Sequence, residues 1–328
     1  MKNKTMDFTF KYGSLLVIAL IIVFLSFWNE HFFTYSNLTD ILRSISIVTF
    51  VAIGVTFSLT VDGFDLSVGS TVSITTVVAS ALMVWYQQPL IVVIVIPLLI
   101  GAIVGLINSF LIVRVRIPDL LATLAIMYIV AGVHKTFTKG YSIYNNMQLT
   151  DGTTAPGKFT DSFLWLGQGK LLGIPVPVIL MIIAVVVVHL FFAYTRWGRQ
   201  MQMTGGNEEA ARLSGVRVKR IRTAAYVASG LFAAIGGILF AARVGTGQVD
   251  AGASLLMESV AAVFVGYSVL GAGRPNIIGT FFGAILIGVL LNGMTMMNLQ
   301  YYTTDIIKGS VLVLALAVTF IHLNRKKA

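Results

Sequence analysis

The sequence predicts an all-α integral membrane fold of about ten transmembrane helices, and three observations point there. Of its 328 residues, 57% are apolar and only 11% charged, whereas a soluble globular chain carries about 25% charged residues. The apolar residues gather into runs matched to a hydrocarbon core of roughly 30 Å, which takes about 20 residues per helix. Between the runs lie only short polar stretches, so residues 1–328 read as a single transmembrane domain.

In chain order, the predicted spans are residues 12–28, 41–61, 67–86, 90–113, 119–137, 176–194, 223–242, 254–270, 277–297 and 304–321. The first follows Lys2, Lys4 and Lys11 with no small-residue cleavage pattern behind it, and reads as a retained helix. The spans divide into a first half, 1–195, a charged connection, 196–223, and a second half, 224–328. Residues 138–173, mixed in Gly, Thr, Asp and aromatics, are expected to form an extracytoplasmic cap.

An even number of crossings leaves both termini on one side. Of the 23 Lys and Arg residues, 16 share it, among them Arg114, Arg116, Arg196, Arg199, Arg217, Lys219, Arg220 and Arg274. Positive-inside sorting makes that side cytoplasmic. The net charge of +10 is therefore topological and gives no argument for nucleic acid. The chain has no cysteine, which excludes disulfides, thiolate metal sites and a cysteine nucleophile.

A faint internal repeat runs through the two halves. "GAIVGLIN" at 101–108 resembles "GAILIGVLLN" at 283–292, and each follows a glycine-interrupted polar stretch, "VDGFDLSVGS" at 61–70 and "VGTGQVDAGAS" at 244–254. Copies five spans apart are inverted relative to each other, an arrangement that places solute paths near the repeat interface. Small residues four apart, Gly101 with Gly105 and Gly279 with Gly283, predict close helix packing.

Ionisable residues inside spans are expensive, at about 2.5–3.5 kcal/mol each even on the insertion scale. Asp65 has two readings: the N-cap of the helix that follows, or a pathway group together with Ser67 and Gly69. Asn108 and Asn292 occupy matching places in the two copies and read as helix glue or as contacts for a hydroxylated solute. Glu258 has no adjacent cation in sequence, whereas Asp305 and Lys308, three apart, are expected to pair on one helix. His134 and His189 stand alone on apolar faces and are expected to be packing residues.

No ATP-binding fingerprint is present. The nearest stretch, "LWLGQGKLL", has Leu164 where a phosphate loop needs its first glycine and Leu171 where it needs Ser or Thr. No hydrolase or zinc-protease motif occurs either, so the chain is expected neither to hydrolyse ATP nor to act as an enzyme with a bound cofactor.

The charged connection contains "TGGNEEAARLSGVRVKR" at 204–220. Asn207 is suited to cap a short helix, Glu208 and Glu209 to its positive end, Arg212 to its negative end and Gly215 to its stop. Such a helix reads either as a solvated loop helix or as a knob that fits a groove on a partner.

"GGNEEAARLSGV" at 205–216 resembles the coupling segment of membrane permeases of ribose-type ABC importers, and the likeness extends over nearly the whole chain. "DGFDLSVGS" is similar to that family's Gly-x-Asp-Leu-Ser-x-Gly motif, "IPDLLATLAIMYIVAGV" at 117–133 to its Pro and Thr-Leu segment, and 257–284 to its Glu, Ala-Ala and Gly-x-Gly-Arg series. The resemblance implies a type II importer fold with an inverted five-helix repeat, in a prokaryotic cell (inner) membrane. It implies a second permease subunit, identical or homologous, cytoplasmic ATPase subunits that carry ATP and Mg, and an extracytoplasmic solute-binding protein. It assigns Gly205, Asn207, Glu208, Glu209, Ala210, Ala211, Ser214 and Gly215 to ATPase coupling, and Asp65, Ser67, Gly69 and Glu258 to positions near the pathway or its gates. The implied solute is a monosaccharide or sugar-like compound: a pentose, a hexose or a furanosyl signal molecule. The rival class is a cation-coupled secondary transporter, motivated by the repeat and by Asp65, Glu258 and Asp305.

Overall fold

The computed structural model describes residues 4–149, 151–268, 274–300, 303–314 and 317. Its order is α1 (Lys4–Trp28), α2 (Tyr35–Thr60), α3 (Val68–Val84), α4 (Leu90–Ser109), α5 (Asp119–Thr138), α6 (Asp161–Gln168), α7 (Val176–Tyr194), α8 (Arg196–Gly206), α9 (Glu208–Leu213), α10 (Val218–Val244), α11 (Ala251–Ser268) and α12 (Ile277–Met296). Residues 303–314 are also helical. The only sheet among the described residues is a hairpin pairing Lys170–Leu171 with Ile174–Pro175. The basic C-terminal residues and the end of the last predicted span lie outside the described residues, as do 271–273 of the Gly-x-Gly-Arg series.

Six of the described helices are long and apolar enough to cross a membrane, and α3, α11 and the apolar part of α1 are shorter. Hydropathy and burial run in opposite directions in five of the six; α5, the least apolar, is also only 28% buried. The most apolar window of α4 is 28% buried, whereas that of the less apolar α2 is 83% buried. The greasiest helices form the rim because lipid covers them, and the hydroxyl-rich ones form the centre because protein does. Hydroxyls survive there by bonding their own helix: Thr49 donates to the Ile45 carbonyl, Thr56 to Ala52 and Ser80 to Thr76, each at 2.7–2.8 Å.

Close backbone approach holds the centre together. Gly101 and Gly105 of α4 press on Gly230 and Tyr226 of α10, and Gly279 and Gly283 of α12 press on Gly266 and Ala262 of α11. Both small-residue pairs thus serve packing within the chain.

The connections sort into two ends. At one, cavities group Arg114 with Trp197, Lys219 and Arg220, and Arg199 with Arg274; this is the basic end. At the other lie α6 and the hairpin, with Ile143 bridged to Gly247 and Lys135 paired with Asp250 at 2.6 Å.

Candidate functional site

The two glycine-interrupted stretches picked out by the sequence break the helical bundle from opposite ends and meet inside it. At the basic end α2 stops at Asp62, which takes a left-handed φ of 57° while the Gly63 N–H closes on the Ser58 carbonyl at 3.0 Å. The chain then runs unwound to Ser67. At the other end α10 stops at Gly245, whose φ is 70°, and residues 246–250 lead inward to α11. The breaks meet where a Cβ on Gly252 would overlap the Gly69 carbonyl, and there the Ser73 hydroxyl accepts the Gly252 N–H at 2.9 Å. A residue larger than glycine would push α3 and α11 apart.

Asp65 is 1% exposed and satisfied on every side. Its Oδ1 accepts the Ser67 N–H at 2.9 Å and the Ser67 hydroxyl at 2.6 Å, and its Oδ2 accepts the Ser229 hydroxyl of α10 at 2.7 Å. Asn108 of α4 donates to Ser67 Oγ at 2.7 Å. One carboxylate therefore ties the break to α3, α4 and α10. Of the three grouped pathway candidates Gly69 borders a cavity of about 190 Å³, shared with Ser70, Ser73, Tyr128 and His134. Asn292 does not repeat the role of Asn108: it donates to the Asn37 side chain at 2.7 Å and joins α12 to α2.

Glu258 corrects an expectation. It is 8% exposed, and Lys308 reaches it from the 303–314 helix at 2.9 Å instead of pairing with Asp305. Asp305 faces outward, where its charge is screened, while a desolvated carboxylate attracts a cation more strongly. His134 is a packing residue as expected, with Nδ1 2.9 Å from the Val130 carbonyl and Nε2 2.9 Å from Val249 in the second break. His189 departs from expectation, being exposed and lining a cavity.

The short charged helix forms as its residues dictate. Asn207 Oδ1 accepts the Ala210 N–H at 2.9 Å, Glu208 and Glu209 fill the first turn, and Gly215 ends it with a φ of 83°. Ala210 faces outward and Leu213 is 80% exposed, whereas Ala211 is 1% exposed on the cluster of Phe57, Met201, Val216 and Ile221. Gly205 belongs to the preceding helix, α8, and packs on the Thr60 carbonyl that ends α2.

Residue order alone did not point to what lies beneath α9. Arg222 of α10 bonds Glu208 at 3.2 Å and Asp119 at 2.6 Å. Asp119 opens α5 and also accepts the Tyr226 hydroxyl, and one turn on, the Thr123 hydroxyl accepts the Leu66 N–H at 3.2 Å. A continuous polar line thus leads from the exposed helix through α10 and α5 to the first break. Asp119 showed in the sequence only as a span boundary, because its partner lies 103 positions away.

Residues 37–316 match the family described as "Branched-chain amino acid transport system / permease component". The chain belongs to this permease family. The permease is 33% identical to the ribose import permease protein RbsC of Haemophilus influenzae over 96% of each chain. To RbsC of Escherichia coli it is 33% identical over 93% of this chain and 92% of that one. The galactose/methyl galactoside import permease protein MglC of Escherichia coli is 30% identical over 99% of both chains. No solved structure matches the permease.

Proposed function

We propose that the permease is the membrane subunit of an ATP-driven importer for a monosaccharide or sugar-like solute, working through alternating access. The observation that carries this is full-length similarity to ribose and galactose import permeases, joined to an exposed, self-capped helix with a polar line into the bundle. In this reading ATP and Mg bind only to partner ATPase subunits, and Ala210, Leu213 and their neighbours Asn207, Glu208, Glu209, Ser214 and Gly215 present the surface those subunits move. Gly205 and Ala211 seat the helix. A secreted binding protein delivers the solute at the end opposite the basic loops, and a second permease subunit completes the path.

The same reading takes the fold as a ten-helix type II arrangement with both termini cytoplasmic. Support for its inverted repeat comes from the two breaks, which enter from opposite ends and meet at Gly69 and Gly252. The solute then passes beside that junction, along α5, where Tyr128 is 68% exposed. The cation-coupled alternative loses two of its three carboxylates, because Asp65 and Glu258 are already engaged inside the chain.

The test is solute uptake by the permease co-expressed with its ATPase and binding protein. Ala210→Arg, on the outward face, should abolish uptake while the purified bundle melts as wild type. Ala211→Arg is the wrong probe, since it would unseat α9 as well. Undiminished uptake by Ala210→Arg refutes the coupling assignment, and ATP-independent uptake that collapses with an ionophore refutes the ATP-driven class.

A further inference from the structure

A cavity of about 360 Å³ lies at the basic end between the last turn of α2, the end of α7, α8 and the start of α12. It falls in the size range of small-ligand pockets, about 300–1,000 Å³. Three of its neutral polar residues are bonded inside the chain: Thr56 bonds Thr280 at 2.8 Å, Thr60 donates to the Thr56 carbonyl at 2.7 Å, and Asn276 Oδ1 accepts the Gly279 N–H at 2.6 Å. Its cations are not spent in this way. Arg199 and Arg274 both line it and are exposed, no acidic side chain lines it, and among the described residues neither guanidinium has a carboxylate within ion-pair distance. By contrast Arg43 and Arg212 each have one and Arg222 has two. Arg199 makes one bond, to the Tyr194 carbonyl at 3.1 Å, which leaves most of its five N–H donors free.

The surroundings narrow the ligand. His189 carries the cavity onto the outer face of α7, where Ile182, Val186 and Leu190, spaced four apart, are 50%, 50% and 47% exposed. That spacing lines them up as one apolar ridge running away from the cavity. Two free guanidiniums suit a phosphate, which they grip in forked pairs, and an apolar ridge leading from them suits an acyl chain. Basic pockets between membrane helices bind anionic headgroups for this reason.

We infer that this cavity is a binding site for an anionic phospholipid, its phosphate held between Arg199 and Arg274 and an acyl chain laid along Ile182, Val186 and Leu190. The bound lipid ties α8 to the connection before α12. The inference does not depend on the solute or on the energy source.

Native mass spectrometry of the full-length permease, released from mixed phosphatidylglycerol and phosphatidylcholine, tests it. Wild type should retain phosphatidylglycerol with a preference of about tenfold or more. Arg199→Gln/Arg274→Gln should lose the preference, and Arg199→Lys/Arg274→Lys should keep part of it, which separates a lost site from a damaged fold. Equal retention of the two lipids by wild type overturns the inference, as does an unchanged preference in the Gln pair. Stabilisation by millimolar inorganic phosphate without lipid would make free phosphate the ligand and overturn it too. Displacement of the lipid when ATPase subunits assemble would assign the cavity to their acidic surface, with the same result.

Discussion

Asp65 and Asp151 make the same turn in opposite surroundings. Asp65 Oδ1 accepts the Ser67 N–H at 2.9 Å and the Ser67 hydroxyl at 2.6 Å. Asp151 Oδ1 accepts the Thr153 N–H at 2.9 Å and the Thr153 hydroxyl at 2.6 Å. The local motif, Asp followed two residues later by a hydroxyl, is identical, and it is all that Asp151 has in its solvent-exposed loop. Asp65 adds Ser229 from α10 and lies 1% exposed where α3, α4 and α10 converge. A turn that merely shapes a loop in water becomes a structural joint once water is removed, because the donors it orients have nowhere else to go.

The largest effect should come from Asp65→Ala. It strands three close donors and the Asn108 amide at 3.4 Å around a buried carboxylate, and at the lower end of 1.5–3 kcal/mol per charge-assisted bond the three close ones alone should cost about 4–5 kcal/mol, read as a fall in the melting temperature of the purified permease. Asp151→Ala should leave that melting temperature unchanged. Equal effects would mean that burial adds nothing to the turn.

Glu258 is a second buried carboxylate, satisfied by one cation instead of by neutral donors. Glu258→Gln should cost about 3 kcal/mol, since it leaves Lys308 uncompensated. Glu258→Gln/Lys308→Met should recover most of the loss, and failure to recover would show that the pair does not act as a unit. Ser229→Ala removes one of the four donors to Asp65 and should cost about 1.5–2 kcal/mol.

The smallest effect belongs to Asp151 and pH. The Thr153 hydroxyl, followed by its N–H, holds the Asp151 carboxyl below the usual carboxylate range. A lowered folded value means that the turn is favoured at neutral pH, above the unfolded value of about 3.9, and weakens as pH falls through the folded one. Exchange of the Thr153 amide should therefore accelerate only at acid pH, and Thr153→Val, which removes the hydroxyl and keeps the N–H, should weaken that dependence.

Much of this was legible from residue order. Predicted span 176–194 and helix α7 coincide, and spans 119–137 and 277–297 each miss by one residue, because apolar runs and Pro or Asn caps are local signals. The α9 helix followed from Asn207, its two glutamates and Gly215 for the same reason. Boundaries slipped where the chain is polar: α2 begins at Tyr35, six residues before the predicted 41, behind a Thr34 cap that hydropathy does not register. The site was less legible. Asp65 and Ser67 were singled out together and Asn108 apart from them, matched with Asn292, but the partner Ser229, the Arg222–Asp119 link and the Lys308–Glu258 pair join residues 50–164 positions apart.

Residue order alone decided the membrane class, the course of the helices, the two breaks and the cap of the short charged helix, since each depends on hydropathy or hydrogen bonds spanning a few residues. Only the folded bundle decided which buried charge meets which donor, that the breaks touch at Gly69 and Gly252, and that Arg199 and Arg274 share one cavity. Those outcomes depend on distances between helices, and side-chain packing sets such distances across the whole chain.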